Sequence, residues 1–361
     1  MWVTGEYEPV YRELQHRMGI GGDLAMGGEF DTTNRHSMGG IWTPERARIH
    51  DALIEGFKEK CKGKPRDGHA VLFTGGAPGS GKGRAQGSLP EWQSQDSELG
   101  EQLRRVHGVD LDDYVVLDPD EFKVQLFEYG GAPELPAEFD RLSDGRRLAP
   151  SEKASLVHRE SGHVQDLVET WARAEGYNLL YDQSLRAFDW TANLFTDLER
   201  EGYDQRVVLS VEVPEEQCLA QNADRWLTGR QRFDTGAEWY GGRMAPEGFI
   251  RSLYADTVTG RGYSVGRENA EKLAAQGLAT GLITTDRGDF GPQPASPAAA
   301  VPAPSRGFQQ GDTTIRVNPG AAFMPGVTIA PSRPPAPRGP AAPATPPPPV
   351  PGPTRGTGID R

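Results

Sequence analysis

The sequence predicts an α/β fold in which a mainly parallel central sheet lies between two layers of helices, forming a three-layer sandwich. Three observations carry this. Short apolar runs alternate with longer segments of helical period, the pattern of strands joined by crossover helices. The first of these runs leads directly into a glycine-rich turn that ends in lysine. The globular pattern then stops at about Phe290, after which the chain carries 19 of its 30 prolines.

Residues 1–42 are rich in glycine and polar side chains and weakly periodic, and are expected to form a loosely structured arm. A helix is predicted from Thr43-Pro44, where Thr43 can cap and Pro44 suits the first turn. Ile49, Leu53 and Phe57 then recur every four residues and give it one apolar face. The run His69–Thr74 reads as a buried strand, and Tyr114–Leu117 as a second. A long helix follows from about Ser151, with Leu156, Val157, Val164, Leu167, Val168 and Trp171 near helical spacing and Gly176 as its terminator. Further strands are predicted at Tyr177–Tyr181, Val207–Val211 and Leu282–Thr285. The folded domain is thus expected over residues 43–287. Residues 288–361, which include Pro346-Pro347-Pro348-Pro349, are expected to be a disordered, proline-rich tail too poor in apolar surface to offset its ordering entropy.

Composition narrows the function. Net charge is −12, which leaves no broad positive field for nucleic acid, so no nucleic-acid partner is expected. No apolar run is long enough to span a membrane, and the amino terminus lacks a basic segment followed by an apolar one. A cytoplasmic location is therefore expected. The two cysteines, Cys61 and Cys218, show no metal-ligand spacing.

The strongest motif is Gly75-Gly76-Ala77-Pro78-Gly79-Ser80-Gly81-Lys82-Gly83. Gly76 to Lys82 has the Gly-x-x-x-x-Gly-Lys spacing of a phosphate-binding loop. Its glycines let successive amides point into one concavity, a following helix adds its positive end, and Lys82 supplies a point charge. Residues Gly76, Ala77, Pro78, Gly79, Ser80, Gly81, Lys82 and Gly83 are therefore the candidate nucleotide site. Gly83 stands where such loops usually carry a hydroxyl for Mg²⁺. A second motif, Asp118-Pro119-Asp120-Glu121-Phe122-Lys123, places carboxylates at the end of a strand, where sites in parallel sheets lie. Asp120 is a candidate general base and Asp118 a candidate for orienting metal-bound water; a solvated turn capping the next helix would use the same residues.

These two motifs in this order, with the later block Ala174–Arg186, resemble the zeta toxin family. The resemblance covers roughly residues 43–287 and implies a P-loop kinase-like fold. It implies ATP or GTP as donor, Mg²⁺ as cofactor, a small-molecule hydroxyl acceptor such as UDP-N-acetylglucosamine, and an antitoxin protein as partner. Residue by residue, it implies that Lys82 holds phosphate, Asp120 is the base, and Arg225 and Arg243 close on the γ-phosphate, with Arg230 and Arg232 as nearby competitors. Glu160, Asp166, Ser184 and Arg186 are implied in substrate binding, with His158 and Ser161 beside them. Asp118 and Asp182 are the implied metal groups, through water. The segment Thr228–Tyr240 is longer than in compact relatives. Two other readings use the same loop: a nucleoside-monophosphate-type kinase, suggested by Gly-Lys-Gly, and a non-catalytic nucleotide-binding interaction module.

Overall fold

The computed structural model describes residues 2–66, 69–104, 110–288 and 290, and two short strands at 308–310 and 313–317. The chain opens with α1 (Glu8–Met18), α2 (Thr32–His36) and a small hairpin of β1 (Ser37–Met38) and β2 (Ile41–Trp42). The helix α3 (Pro44–Cys61) starts as expected, with Thr43 Oγ1 accepting from the Arg46 amide. Next come β3 (Ala70–Gly75), α4 (Lys82–Ser94), α5 (Glu98–Leu103), β4 (Val115–Leu117) and α6 (Pro119–Glu128). A 3₁₀ segment over Pro150–Val157 leads into α7 (His158–Ala174). Then follow β5 (Leu179–Gln183), α8 (Phe188–Arg200), β6 (Gln205–Glu212), α9 (Glu215–Asp234), α10 (Glu247–Ala255), α11 (Val265–Ala275) and β7 (Gly281–Arg287). The two tail strands are β8 (Phe308–Gln310) and β9 (Thr313–Val317). Among the described residues no helix is long and apolar enough to cross a membrane.

The sheet runs β4-β5-β3-β6-β7-β9-β8, and its first five strands are parallel. Side chains alternate across a strand, so β3 feeds both faces. Val71 and Phe73 pack with Val115, Leu117, Leu179 and Tyr181 against α3, α6, α7, α8 and α11. Ala70 and Leu72 pack with Val207, Leu209 and Ile283 against Ala85 and Leu89 of α4. These two apolar layers on one sheet are the predicted P-loop kinase-like sandwich. Every predicted strand is present, displaced by no more than two residues at most ends.

Two regions differ from expectation. Residues 1–42 are built into the core: Val10, Tyr11, Leu14 and Met18 lie on one face of α1 and, with Leu24 and Phe30, pack against Leu148, Leu156 and the fully buried Trp226. The tail returns to the sheet, where β9 pairs antiparallel to β7 from Ile283↔Val317 to Arg287↔Thr313. The remainder of the expected tail lies outside the described residues.

Candidate active site

The phosphate loop joins the central strand β3 to α4. Gly76, Gly79 and Gly81 have φ of +153°, +92° and +91°, conformations that glycine alone adopts readily. The loop is also sterically sealed. A Cβ on Gly76 would lie 2.4 Å from the Val211 carbonyl oxygen, and one on Gly79 would lie 2.5 Å from that of Cys218. β6 and α9 thus press the loop into shape. Lys82 Nζ donates to the Gly76 carbonyl at 2.9 Å and lies 3.4 Å from Asp182 Oδ1. Gln86, one turn along α4, donates to Thr74 Oγ1 at 2.7 Å and to Asp182 Oδ2 at 3.4 Å.

Strand register carries the site sideways from this loop. Thr74 is paired with Asp182, and Tyr181 with Leu117, so Asp182 and Asp118 stand at the ends of adjacent parallel strands. Asp118 caps α6, its Oδ1 accepting from the Asp120 amide at 2.8 Å. Burial pushes the Asp118 carboxyl up to about 6, helped by the negative charges of Asp120 and Asp182. Asp120 goes the other way. Crowding in the cleft pushes its carboxyl up, but the Lys123 ammonium at 2.7 Å, with Arg243 and Arg225, outweighs this and holds it well below the usual carboxylate range. Two adjacent carboxylates whose environments drive them apart are suited to different roles.

Arg243 completes the cluster, with Nη1 3.6 Å from Asp120 Oδ2 and 3.9 Å from Asp118 Oδ2. Arg225 Nε donates to the Arg243 carbonyl at 3.3 Å. Two glycines permit this approach: a Cβ on Gly229 of α9 would lie 2.3 Å from Gly242 Cα, and one on Gly242 would lie 2.3 Å from the Trp226 carbonyl oxygen. The loop therefore lies backbone against backbone on α9, and Ser151 Oγ fixes it by donating to the Gly242 carbonyl at 2.9 Å.

Lys82, Asp182, Asp118, Asp120, Arg225 and Arg243 are thus brought together. Among the described residues, Glu160, Asp166, Ser184 and Arg186 make no hydrogen bond or ion pair with this cluster, whereas His158 is near enough to feel the Lys123 and Asp120 charges. Glu160 is 0% exposed; both its oxygens are bound by Arg46 at 2.6 and 2.7 Å, and they also accept from His50 and Thr32. It is a buried carboxylate enclosed by these partners. Asp166 is exposed on α7, with His163 and Glu169 as its titratable neighbours. Arg186 is paired with Asp256 at 2.8 Å. Ser184 lies in the loop after β5, its carbonyl against Gly266 of α11. Beside it Leu185 has φ +54°, and Asn269 Nδ2 donates to its carbonyl at 2.8 Å. Sequence reasoning missed the roles of Lys123 and Gln86. Both were findable, since Lys123 is three residues from Asp120 and Gln86 four from Lys82, each on one helix face.

A magnesium ion fits this donor set in one way only. Among the described residues no cluster of three metal-ligating side chains exists, and Gly83 offers no hydroxyl. Asp118 and Asp182 supply two adjacent carboxylates, which suits an ion that keeps most of its waters and takes its other ligands from phosphate.

Among curated proteins none matches the chain. Among solved structures it is similar to one from the PezAT chromosomal toxin–antitoxin system of Streptococcus pneumoniae, with 15% identity and a TM-score of 0.43 over 68% of this chain and 77% of that one. It is also similar to the AvrRxo1-ORF1:-ORF2 structure with ATP, with 16% identity and a TM-score of 0.44 over 69% and 65% of the two chains. By sequence, the zeta toxin family matches residues 57–257. That stretch is more than half of the 361 residues and takes in the phosphate loop, the acidic turn and both arginines, so the chain belongs to the zeta toxin family.

Proposed function

We propose that the protein transfers the γ-phosphoryl group of ATP or GTP to a hydroxyl of a small metabolite, with a nucleotide sugar such as UDP-N-acetylglucosamine as the acceptor class. The observation that carries this reading is the convergence of Lys82 and Asp120 on one cleft, bridged by Asp182, Asp118 and Arg243. A toxin role, with an antitoxin protein as partner, follows from the family and is part of the same proposal.

The amides of residues 76–83 and the positive end of α4 bind the β- and γ-phosphates, and Lys82 leaves its Gly76 contact to join them. Magnesium, held by Asp118 and Asp182 through water, would neutralise charge on the β- and γ-oxygens. Asp120 accepts the hydroxyl proton as the acceptor oxygen bonds to the γ-phosphorus and the bond to the β–γ bridging oxygen breaks, releasing the nucleoside diphosphate. A positioned base of this kind contributes roughly 10²–10⁴-fold. Its low proton affinity suits a loose transition state in which the acceptor oxygen gains little charge before bond formation. Arg225 and Arg243 stabilise charge on the moving phosphoryl oxygens, an effect that can reach about 10³–10⁵-fold.

The test is mass spectrometry of small molecules that gain a phosphoryl group when the purified protein is given ATP and deproteinised cell extract. Wild type is expected to yield a phosphorylated product and Lys82→Ala and Asp120→Asn to yield almost none. Equal yields from all three proteins would refute the reading.

A further inference from the structure

Beside the acidic turn lies a cavity of about 600 Å³ between α6, α9 and the loop that ends in Arg243. This is the size of a small-molecule site. Arg225 and Arg243 line it, and both lower the proton affinity of Asp120. Val124 also lines it. Val124 is four residues beyond Asp120 on α6, so the two share a helix face. The candidate base therefore lies beside the cavity, its Oδ2 3.6 Å from Nη1 of Arg243 in the lining.

Other lining residues have a different chemistry. Trp239 keeps 50% of its surface exposed. It is held edge-on by Tyr240 at 5.3 Å, and Tyr240 is itself buried and packed edge-on against Phe127 at 5.8 Å. Half of the Trp239 surface thus stays open to solvent while its ring is packed against an aromatic pair. Arg232 stands in the same lining. Among the described residues its guanidinium has no ion pair or side-chain hydrogen bond, whereas Arg230, one half-turn away, is buried and bound by Glu152 and Asp234. Asp224 and Glu238 also line it and can accept hydrogen bonds from hydroxyl groups. By contrast, Arg186, on the side to which the family resemblance points, is already paired with Asp256.

We infer that this cavity is the acceptor site, and that it selects an alcohol carrying both a flat ring, laid on Trp239, and an anionic group, paired with Arg232. The inference rests on the phosphotransferase reading above. It assigns Trp239 and Arg232 as specificity-determining residues, and it gives the long Thr228–Tyr240 segment a purpose. An indole face favours a ring through stacking, and an unpaired guanidinium favours a planar anion through charge-assisted hydrogen bonds.

The experiment is calorimetric titration of the full chain with UDP-N-acetylglucosamine, after the phosphate loop has been saturated with a non-hydrolysable ATP analogue. Trp239→Ala is expected to weaken binding roughly tenfold or more, the scale of one ring stacked on an aromatic side chain, and Trp239→Phe to retain most of the affinity. Arg232→Gln is expected to weaken it by about tenfold, the scale of a hydrogen bond to a charged group, and Arg232→Lys to lose less. Both residues are exposed, so the variants keep the fold, and analogue binding is expected to be unchanged in all four. Wild-type affinity in both Trp239→Ala and Arg232→Gln, or no binding of the sugar nucleotide to wild type, would overturn the inference. Failure of the phosphotransferase reading would look different: the analogue would not bind, or no phosphorylated product would form, whatever the cavity variants do.

Discussion

Replacing Gly229 with alanine is expected to remove most of the phosphotransfer activity while leaving the protein folded. The added Cβ would lie 2.3 Å from both the nitrogen and the Cα of Gly242, and 2.9 Å from the Gly241 carbonyl carbon. Ordinary carbon contacts are about 3.5–4.0 Å, so the loop must retreat by about 1 Å or more. No rotamer change can relieve a contact between a Cβ and backbone. Arg243 is the next residue in that loop, and its contacts with Asp120 and Asp118 are already 3.6 and 3.9 Å. A misplacement of about 1 Å at a catalytic group can cost on the order of 10²-fold. The stability change is smaller. Alanine gains about 0.8–1.0 kcal/mol over glycine inside a helix, and overpacking costs about 1–3 kcal/mol, so the net loss is roughly 0–2 kcal/mol. The assay is phosphoryl transfer from ATP into extract metabolites, read beside urea denaturation. Gly87→Ala is the control. Gly87 is an exposed glycine of α4 with no atom within 4 Å of an added Cβ, so this variant keeps its activity and gains stability. A Gly229→Ala protein that transfers phosphate at the wild-type rate would refute the positioning argument.

Two buried carboxylates are expected to give stability slopes of opposite sign with pH. In Glu160, burial raises the proton affinity, but hydrogen bonds from His50 and Arg46 bring its pKa down to about 2. Its contribution, about 3 kcal/mol for a depression of that size, is present above the ordinary carboxylate range and lost as pH falls toward 2. Glu160→Gln leaves Arg46 buried without its counter-charge and is expected to lose about 3–5 kcal/mol near neutral pH, with the folded fraction still active. An inactive but fully stable variant would restore Glu160 to the substrate site. Burial pushes Glu212 up to about 7 despite hydrogen bonds from the Ser264 amide and hydroxyl. Its contribution is present below the ordinary range and lost as pH rises through 7. Urea denaturation of Glu212→Gln between pH 5 and 8 is expected to show a stability gain that grows with pH; a difference from wild type that stayed constant would contradict this. Lys123→Met removes the main cation on Asp120, so the acid limb of the kcat/KM profile is expected to move up by roughly one unit or more. An unmoved limb would show that another group sets it.

The parts of the fold legible in the sequence are those whose causes are local. β3 reads as a strand because its six residues are apolar or small and all are buried, and the glycines after it announce the turn. The carboxylates of Asp118, Asp120 and Asp182 follow predicted strands, and a parallel sheet brings strand ends to one edge. Their convergence therefore needed only topology. The misread parts depend on partners far along the chain. The face of α1 carrying Val10, Tyr11 and Leu14 has its partners at Leu148, Leu156 and Trp226, and the surrounding glycine-rich loops hide so short a period. Glu160 sits among motif residues on a polar-looking stretch, but its partners Arg46 and His50 lie 114 and 110 residues away. Helical spacing alone gives no sign that a carboxylate faces inward.

The position of Arg243 has an intermediate status, and it explains why sequence order and geometry agree at this site. The stretch Gly241-Gly242-Arg243 is legible as a turn with a cation, but nothing local says where the cation goes. The answer lies with Gly229, a glycine inside α9 that helix propensity disfavours by about 1 kcal/mol. In the structure that cost coincides with a backbone contact that any side chain at Gly229 or Gly242 would prevent. A helix that accepts an unfavourable residue at the point where a cationic loop docks is organised around that docking. The same docking sets both the Arg243–Asp120 approach and part of the lining of the cavity beside Trp239. One pair of glycines therefore couples the position of Arg243 to the shape of the cavity it lines, and a change at either glycine should disturb both together.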